Sequence, residues 1–189
     1  MPRTPVEDDF NLRTPRLLLR DFREDDLPAV HALRSDEKVA TFMDFHPESF
    51  EQSAEWLKGV IFRNRQRPRS TYNLAITQCE VEQAVGWVGF GESERYPGTG
   101  NFGVGFMLAS AYWGRGYLPE ALRPVVSYVF QVLGGDAIGA WCFADNTASA
   151  RAMQKAGLQL QKRYQDTEPK SGRLVDCLEY GLRSDQWRA

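Results

Sequence analysis

The chain has 189 residues, with 23 Lys and Arg against 25 Asp and Glu, for a formal net charge of −2 at pH 7. That length suits one well-buried domain and is short for two, and with a near-neutral charge nothing suggests a nucleic-acid binder held by a large positive field. No apolar run reaches the roughly 20 residues of a membrane helix, no secretory leader is recognisable, and 3 scattered Cys with 2 His make neither a disulfide framework nor a zinc cluster, so a metal-free cytoplasmic protein is expected.

In chain order, residues 1–13 are expected to form a flexible leader ahead of a single domain over 14–189. The run RLLLRD at 16–21 reads as a first strand, followed by a helix over about 24–34 with an acidic first turn. His31 shares that helix's apolar spacing with Leu27 and Val30, which predicts a partly buried helix histidine and not a ligand. A second helix over about 50–65 carries Ala54, Leu57, Val60 and Ile61 at helical spacing, with Ser49 or Ser53 as its N-cap. The arginines at 63, 65, 67 and 69, around Pro68, read as a solvated helix end and loop and not as an RNA-contacting patch.

The pattern then changes to strands. Residues 72–77, 84–90 and 101–109 are rich in β-branched and aromatic side chains and form an antiparallel meander, with 92–100 as the turn between the last two. A helix beginning near Gly116 buries a stripe of Leu118, Ala121, Leu122, Val125, Val126 and Val129. Pro119 suits its first turn, whereas Pro124 lacks an N–H and is expected to kink the helix or delay its regular part. A strand over 137–143, a short helix over 146–156 ended by Gly157, and two strands near 159–164 and 174–182 complete a mixed α/β chain without repeats. Tyr96 and Trp187 are candidate exposed aromatics at a dimer contact, and both monomer and homodimer remain open.

The segment FMLASAYWGRGYLPEAL, 106–122, joins a strand to a helix through Gly114 and Gly116. Glycines there permit left-handed dihedrals and close approach, and several backbone N–H groups then meet the positive end of the helix, which makes an anion cradle suited to pyrophosphate. It is not a dinucleotide fingerprint, because the third glycine positions hold Leu108 and Pro119. Gly98 and Gly103 have P-loop spacing, but Val104 stands where the lysine belongs, and no G-x-S-x-G elbow is present. Further on, Asn146 reads as an N-cap, while Ser149 shares a helix face with Ala152, Met153 and Ala156 and needs a partner for a core-directed hydroxyl.

On these residues the chain resembles the GNAT acetyltransferases, whose cradle motif is Gln/Arg-x-x-Gly-x-Gly/Ala between a strand and a helix. The aligned residues are Trp113, Gly114, Arg115, Gly116, Tyr117 and Leu118, so the first and last positions depart from the motif. From TPRLLLRDFREDDLPAV through YWGRGYLPEAL and DNTASARAMQKAGL to VDCLEYGLRSDQW, the whole chain is similar to the ribosomal-protein-alanine branch of the RimJ/RimL type. The resemblance implies a GNAT fold, with a mixed, mostly antiparallel sheet splayed between its fourth and fifth strands and flanked by helices. It implies acetyl-CoA as cosubstrate, with the pantetheine arm against Phe106, Met107 and Leu108, the pyrophosphate at Gly114, Arg115, Gly116, Tyr117 and Leu118, and Asn146 on the pantetheine amides. Ser149 would protonate the departing thiolate, Glu92 is the candidate base with Glu120 and Glu168 as rivals, and a strand N–H near Met107 or Leu108 would hold the oxyanion. The implied activity is N-acetylation of a primary amine, foremost a protein N-terminal α-amino group. Small-molecule amines and a non-catalytic acyl-CoA sensor are the alternatives.

Overall fold

In the computed structural model, which describes residues 10–93 and 101–188, a single sheet of eight strands runs in the order β1-β2-β3-β4-β5-β6-β8-β7. Its strands are β1 (Asn11–Arg13), β2 (Leu17–Asp21), β3 (Thr71–Gln78), β4 (Val81–Glu92), β5 (Asn101–Leu108), β6 (Ala137–Phe143), β7 (Gln159–Thr167) and β8 (Leu174–Arg183). The helices are α1 (Leu27–Arg34), α2 (Glu37–Ala40), α3 (Phe50–Asn64), α4 (Tyr117–Gln131) and α5 (Thr147–Lys155).

Alternation along the strands divides the apolar residues between two layers. One face of the sheet meets α4 and α5, where Val125, Val126, Val129 and Met153 pack on Leu74, Val88, Leu108, Ile138 and Tyr180. The other face is covered over its first half by α1 and α3, where Phe22, Val30, Leu57 and Val60 pack on Ala75 and Ala84. Neighbouring residues of β5 therefore serve different layers: Phe106 and Leu108 join the α4–α5 core, whereas Met107 joins Leu33, Val39 and Trp87.

The strand β5 pairs antiparallel with β4 from Gly86↔Leu108 to Glu92↔Phe102. Its parallel pairing with β6 is confined, among the described residues, to Asn101↔Ala137, Phe102↔Ile138 and Gly103↔Gly139. These two are the fourth and fifth strands of the sequence reading, displaced by one because β1 precedes them. A row of glycines crosses four strands in register, Gly91↔Gly103, Gly103↔Gly139 and Gly139↔Gly181.

Several elements differ from the sequence expectation. Asn11–Arg13, placed within the leader, pair with β2 as β1, and Phe10 packs edge-on against Tyr128 at 4.8 Å; residues 1–9 lie outside the described residues. The first helix begins as a 3-10 turn over Glu24–Asp26, and the short α2 had no periodicity long enough to read. Pro124 does not delay the regular helix, since α4 begins at Tyr117 and includes it, with the buried stripe holding the helix on the sheet. Nor is the arginine run wholly solvated: Arg69 has 9% of its side chain exposed, pairs with Asp21 at 2.6 Å and lies over the rings of Phe10 and Tyr72. The turn over 94–100, with Tyr96, lies outside the described residues.

Ser49 caps α3 in a capping box with Gln52, and Gly157 ends α5 in the left-handed region at φ 104°. His31 is half-buried, its Nδ1 3.3 Å from the Ser53 hydroxyl and its ring edge-on to Phe50. Among the described residues, no helix is long and apolar enough to cross a membrane, and no three His, Cys, Asp or Glu side chains gather into a metal site.

Candidate functional site

The chain leaves β5 through a 3-10 turn at Ser110–Tyr112, and Gly114 and Gly116 both take φ 76° before α4 begins. A side chain at either position would meet no backbone obstacle, so it is the dihedral and not the space that calls for glycine. Among the described residues, the backbone N–H groups of Gly114, Arg115, Gly116, Tyr117 and Leu118 have no acceptor within the protein. They stand at the first turn of a 15-residue helix, where the macrodipole adds positive potential. Pro119 contributes no N–H, and Leu118 packs partly against the core beneath, which takes its bulk away from the turn.

Three contacts fix the turn. The indole N–H of Trp113 donates to the Leu108 carbonyl at 2.7 Å. The Arg16 guanidinium donates to the Arg115 carbonyl at 3.1 Å and pairs with Glu120 at 2.5 Å. The Arg115 side chain folds back to donate to the Ala111 carbonyl at 3.1 Å, with its guanidinium over the Tyr112 ring.

The N–H of Ala109 donates to the Val85 carbonyl at 2.9 Å, so by strand alternation the polar groups of Leu108 point to the opposite edge of β5, away from β4. Trp113 occupies that carbonyl. Beyond Gly103 the edge has no pairing to β6. The N–H groups of Phe106 and Leu108 therefore face the gap.

That gap opens into a cavity of about 330 Å³. Phe106, Met107 and Leu108 form one wall, the turn residues Gly114, Gly116, Tyr117 and Leu118 another, and Asn146 and Ser149 a third. The Asn146 side chain caps α5 by accepting the Ser149 N–H at 3.0 Å, which leaves its amide nitrogen for other partners. The Ser149 hydroxyl faces the buried Cys142 thiol, which burial pushes up to about 11 against the opposing pull of that hydroxyl. Cys142 is consequently a neutral thiol at physiological pH.

The structure brings Phe106, Met107, Leu108, Gly114, Gly116, Tyr117, Leu118, Asn146 and Ser149 around one space, while the Arg115 side chain points elsewhere. It does not bring Glu92 there. Glu92 ends β4 opposite Phe102, and the strand between this pair and Gly86↔Leu108 spans about 20 Å. The sequence reading put Glu92 at a strand exit without knowing which end of the sheet that exit reached. Glu120 is occupied: burial works to raise its carboxyl, but the Thr14 hydroxyl and the Arg16 guanidinium and N–H outweigh it and hold the group below its usual value. Glu168 accepts the Ser171 hydroxyl in a loop that Lys170 fastens to α2 through the Ala40 carbonyl at 2.7 Å. Among the described residues lining the cavity there is no carboxylate.

Residues the sequence reading missed complete the walls. Arg151 and Lys155 reach the cavity from α5, on the face that also carries Ala148 and Ala152, and their i, i+3/i+4, i+7 spacing was a readable signal. Val39, Phe42 and Met43 close the far side from α2 and the turn behind it, where four helical residues left no periodicity. The donors, the cationic rim and the volume fit a pyrophosphate joined to a slender, amide-bearing arm.

The acetyltransferase (GNAT) domain family matches residues 16–159. Over 149 residues, 78% of this chain and 82% of the relative, the sequence is 29% identical to the uncharacterized N-acetyltransferase YoaA of Bacillus subtilis (strain 168). Among solved structures, a GNAT-family acetyltransferase from Bacillus anthracis superposes with a TM-score of 0.80 at 23% identity, covering 93% of this chain and 99% of that one. Mycobacterium smegmatis RimJ in complex with CoA-disulfide superposes with a TM-score of 0.77 at 17% identity, covering 92% and 84%.

Proposed function

The chain belongs to the GNAT acetyltransferase family and is an acetyl-CoA-dependent N-acetyltransferase, and on that premise we propose that its acceptor is the α-amino group of a polypeptide N-terminus. The observation that carries the choice of acceptor is the absence of a carboxylate from the described lining of the cavity. A polypeptide α-amine, with pKa near 8, is about one part in ten neutral at pH 7, whereas a lysine-type amine near 10.4 is neutral in about one part in 2,500. A cavity whose described lining holds no carboxylate favours the amine that already carries a free lone pair. The proton released after attack leaves through water at the cavity mouth.

In this reading the free N–H groups of residues 114–118 hold the pyrophosphate, with Arg151 and Lys155 adding charge at the rim. The pantetheine arm lies along the open edge of β5, where the strand parts from β6, and its amides meet the Asn146 side chain. The amine attacks the thioester carbonyl in a ternary complex. The Leu108 N–H, directed to the open edge, stabilises the oxyanion, and the C–S bond breaks as the tetrahedral intermediate collapses. Ser149 donates its hydroxyl proton toward the departing sulfur and regains one from water. The likeness to RimJ, at 17% identity, shows the fold alone, so the choice of acceptor rests on the lining of the cavity.

The test is release of free CoA thiol from acetyl-CoA with matched panels of peptide N-termini, polyamines and other small amines. Peptide N-termini are expected to give the highest kcat/KM. A polyamine preferred over every peptide overturns the acceptor assignment. Ser149→Ala is expected to lower kcat while CoA affinity is kept; unchanged turnover removes Ser149 from the chemistry.

A further inference from the structure

A second cavity of about 330 Å³ lies on the sheet face that carries Met107, lined by residues of α3, β3, β4 and β5. We propose that it is the distal acceptor subsite, reached from the thioester across the face of Trp87, and that it takes the third to fifth residues of an extended polypeptide. This rests on the N-terminal acetylation reading above and adds the path of the acceptor beyond its amine.

Trp87 stands directly opposite Met107 in the β4–β5 register and belongs to the same apolar cluster. Its indole lies flat on the sheet: a Cβ built on Gly89 would come within 2.3 Å of Trp87 Cζ2, and one on Gly105 within 3.1 Å of Cη2. The registered pair Gly89↔Gly105 thus makes room for a ring to lie where two side chains would otherwise stand. The ring is held in place, its Nε1 donating to Asn73 Oδ1 at 3.2 Å and Trp56 meeting it edge-on at 6.3 Å. A partly buried ring so fixed, which also lines the second cavity, has little left to lose in entropy on binding.

Past the ring, the next registered pair, Gly91↔Gly103, lies in the second cavity. From Met107 to Gly103 the strand advances about 13 Å, the reach of about four residues of extended peptide. Among the described residues, the lining includes Arg63 and Glu92, one charge of each sign, beside the neutral polar residues Thr71, Asn73 and Ser93. That balance in the described lining suits a polypeptide with its amides and mixed side chains better than a polycation. Glu92 stands at the far end of this groove, about 20 Å along β4 from the Gly86↔Leu108 pair.

The experiment measures kcat/KM with the full chain and acetyl-CoA for one N-terminal sequence, lengthened stepwise from a single amino-acid amide to a hexapeptide amide. The value is expected to climb until about the fourth or fifth residue and then level. Trp87→Ala is expected to abolish most of that climb, and Trp87→Phe, which keeps an aromatic plane in case the alanine variant fails to fold, to reduce it by severalfold. Transfer that proceeds with no length dependence, or a Trp87→Phe variant with the full climb, overturns the subsite while leaving the N-terminal reading intact. No transfer to any peptide, with acetyl-CoA still bound, overturns that reading and this inference together.

Discussion

The Trp113 indole N–H reaches 2.7 Å across the first turn of the cradle to the carbonyl of Leu108, the last residue of β5. This bond joins the strand edge that would pair with the pantetheine arm to the loop that would hold the pyrophosphate. It also uses up the one outward-facing acceptor at the end of β5, so that the neighbouring Leu108 N–H is the group left pointing into the gap. In the motif of the family a polar residue occupies the Trp113 position, and the indole serves here by its N–H.

Trp113→Phe keeps the ring and loses the donor. The bond is worth about 1 kcal/mol, so KM for acetyl-CoA is expected to rise about fivefold, with little change in melting temperature because Trp113 is a surface side chain. Steady-state kinetics beside a thermal melt checks this. An unchanged KM shows that the turn keeps its position without the bond.

Gly114→Ala and Gly116→Ala place an L side chain at φ 76°, at a cost of about 1–2 kcal/mol each. Neither meets a steric obstacle, so the chain relaxes the dihedral and turns its N–H groups away. CoA affinity, read by calorimetry, is expected to fall by about five- to thirtyfold in each variant. Retained affinity in both contradicts the use of these N–H groups as phosphate donors.

Much of this site was readable as sequence because its parts are local. Two glycines between a strand and an amphipathic stripe, and an asparagine three residues before a serine, declare a turn and a cap without tertiary information. The elements that escaped were short or held by distant partners. The three residues of β1 and the four of α2 carry no period, and Pro124 stays within α4 because buried neighbours hold the helix. Glu92 was legible as a strand residue, but the level it reaches depends on β4 running 12 residues and on its register with β5. Arg69 looked like one of four surface arginines until Asp21 and two aromatic rings closed around it.

Glu120 gives the fold an acid-sensitive joint. Its folded pKa lies below the ordinary 4.5, so its contribution is complete above that value and is lost as pH falls through the folded pKa. Acidification through the carboxylate range therefore releases Thr14 and Arg16, and with Arg16 the hold on the Arg115 carbonyl. Chemical denaturation at stepped pH is expected to show a smaller acid loss in Glu120→Gln than in the wild type. Parallel curves contradict it.

Arg20 and Asp26 form a pair with 5% of each side chain exposed, joined by two bonds of 2.8 Å. The same Arg20 donates to the Glu82 carbonyl, which ties the start of the first helical segment to β4. Asp26→Asn leaves a buried guanidinium without its counter-charge and is expected to cost about 3–5 kcal/mol. The loss should appear in the denaturation midpoint, with CoA affinity of the folded fraction unchanged, since neither residue touches the cavity. A loss below 1 kcal/mol, read from the same curves, shows that the pair is replaceable.

The most direct test of the account is the position of the acetyl group on one peptide that carries both a free α-amine and an internal lysine. Tandem mass spectrometry after limited turnover with acetyl-CoA reads it without ambiguity. Acetyl on the α-amine, with the lysine unmodified, is the predicted result. Acetyl on the lysine alone, or no acetyl on either amine while CoA binds, contradicts it.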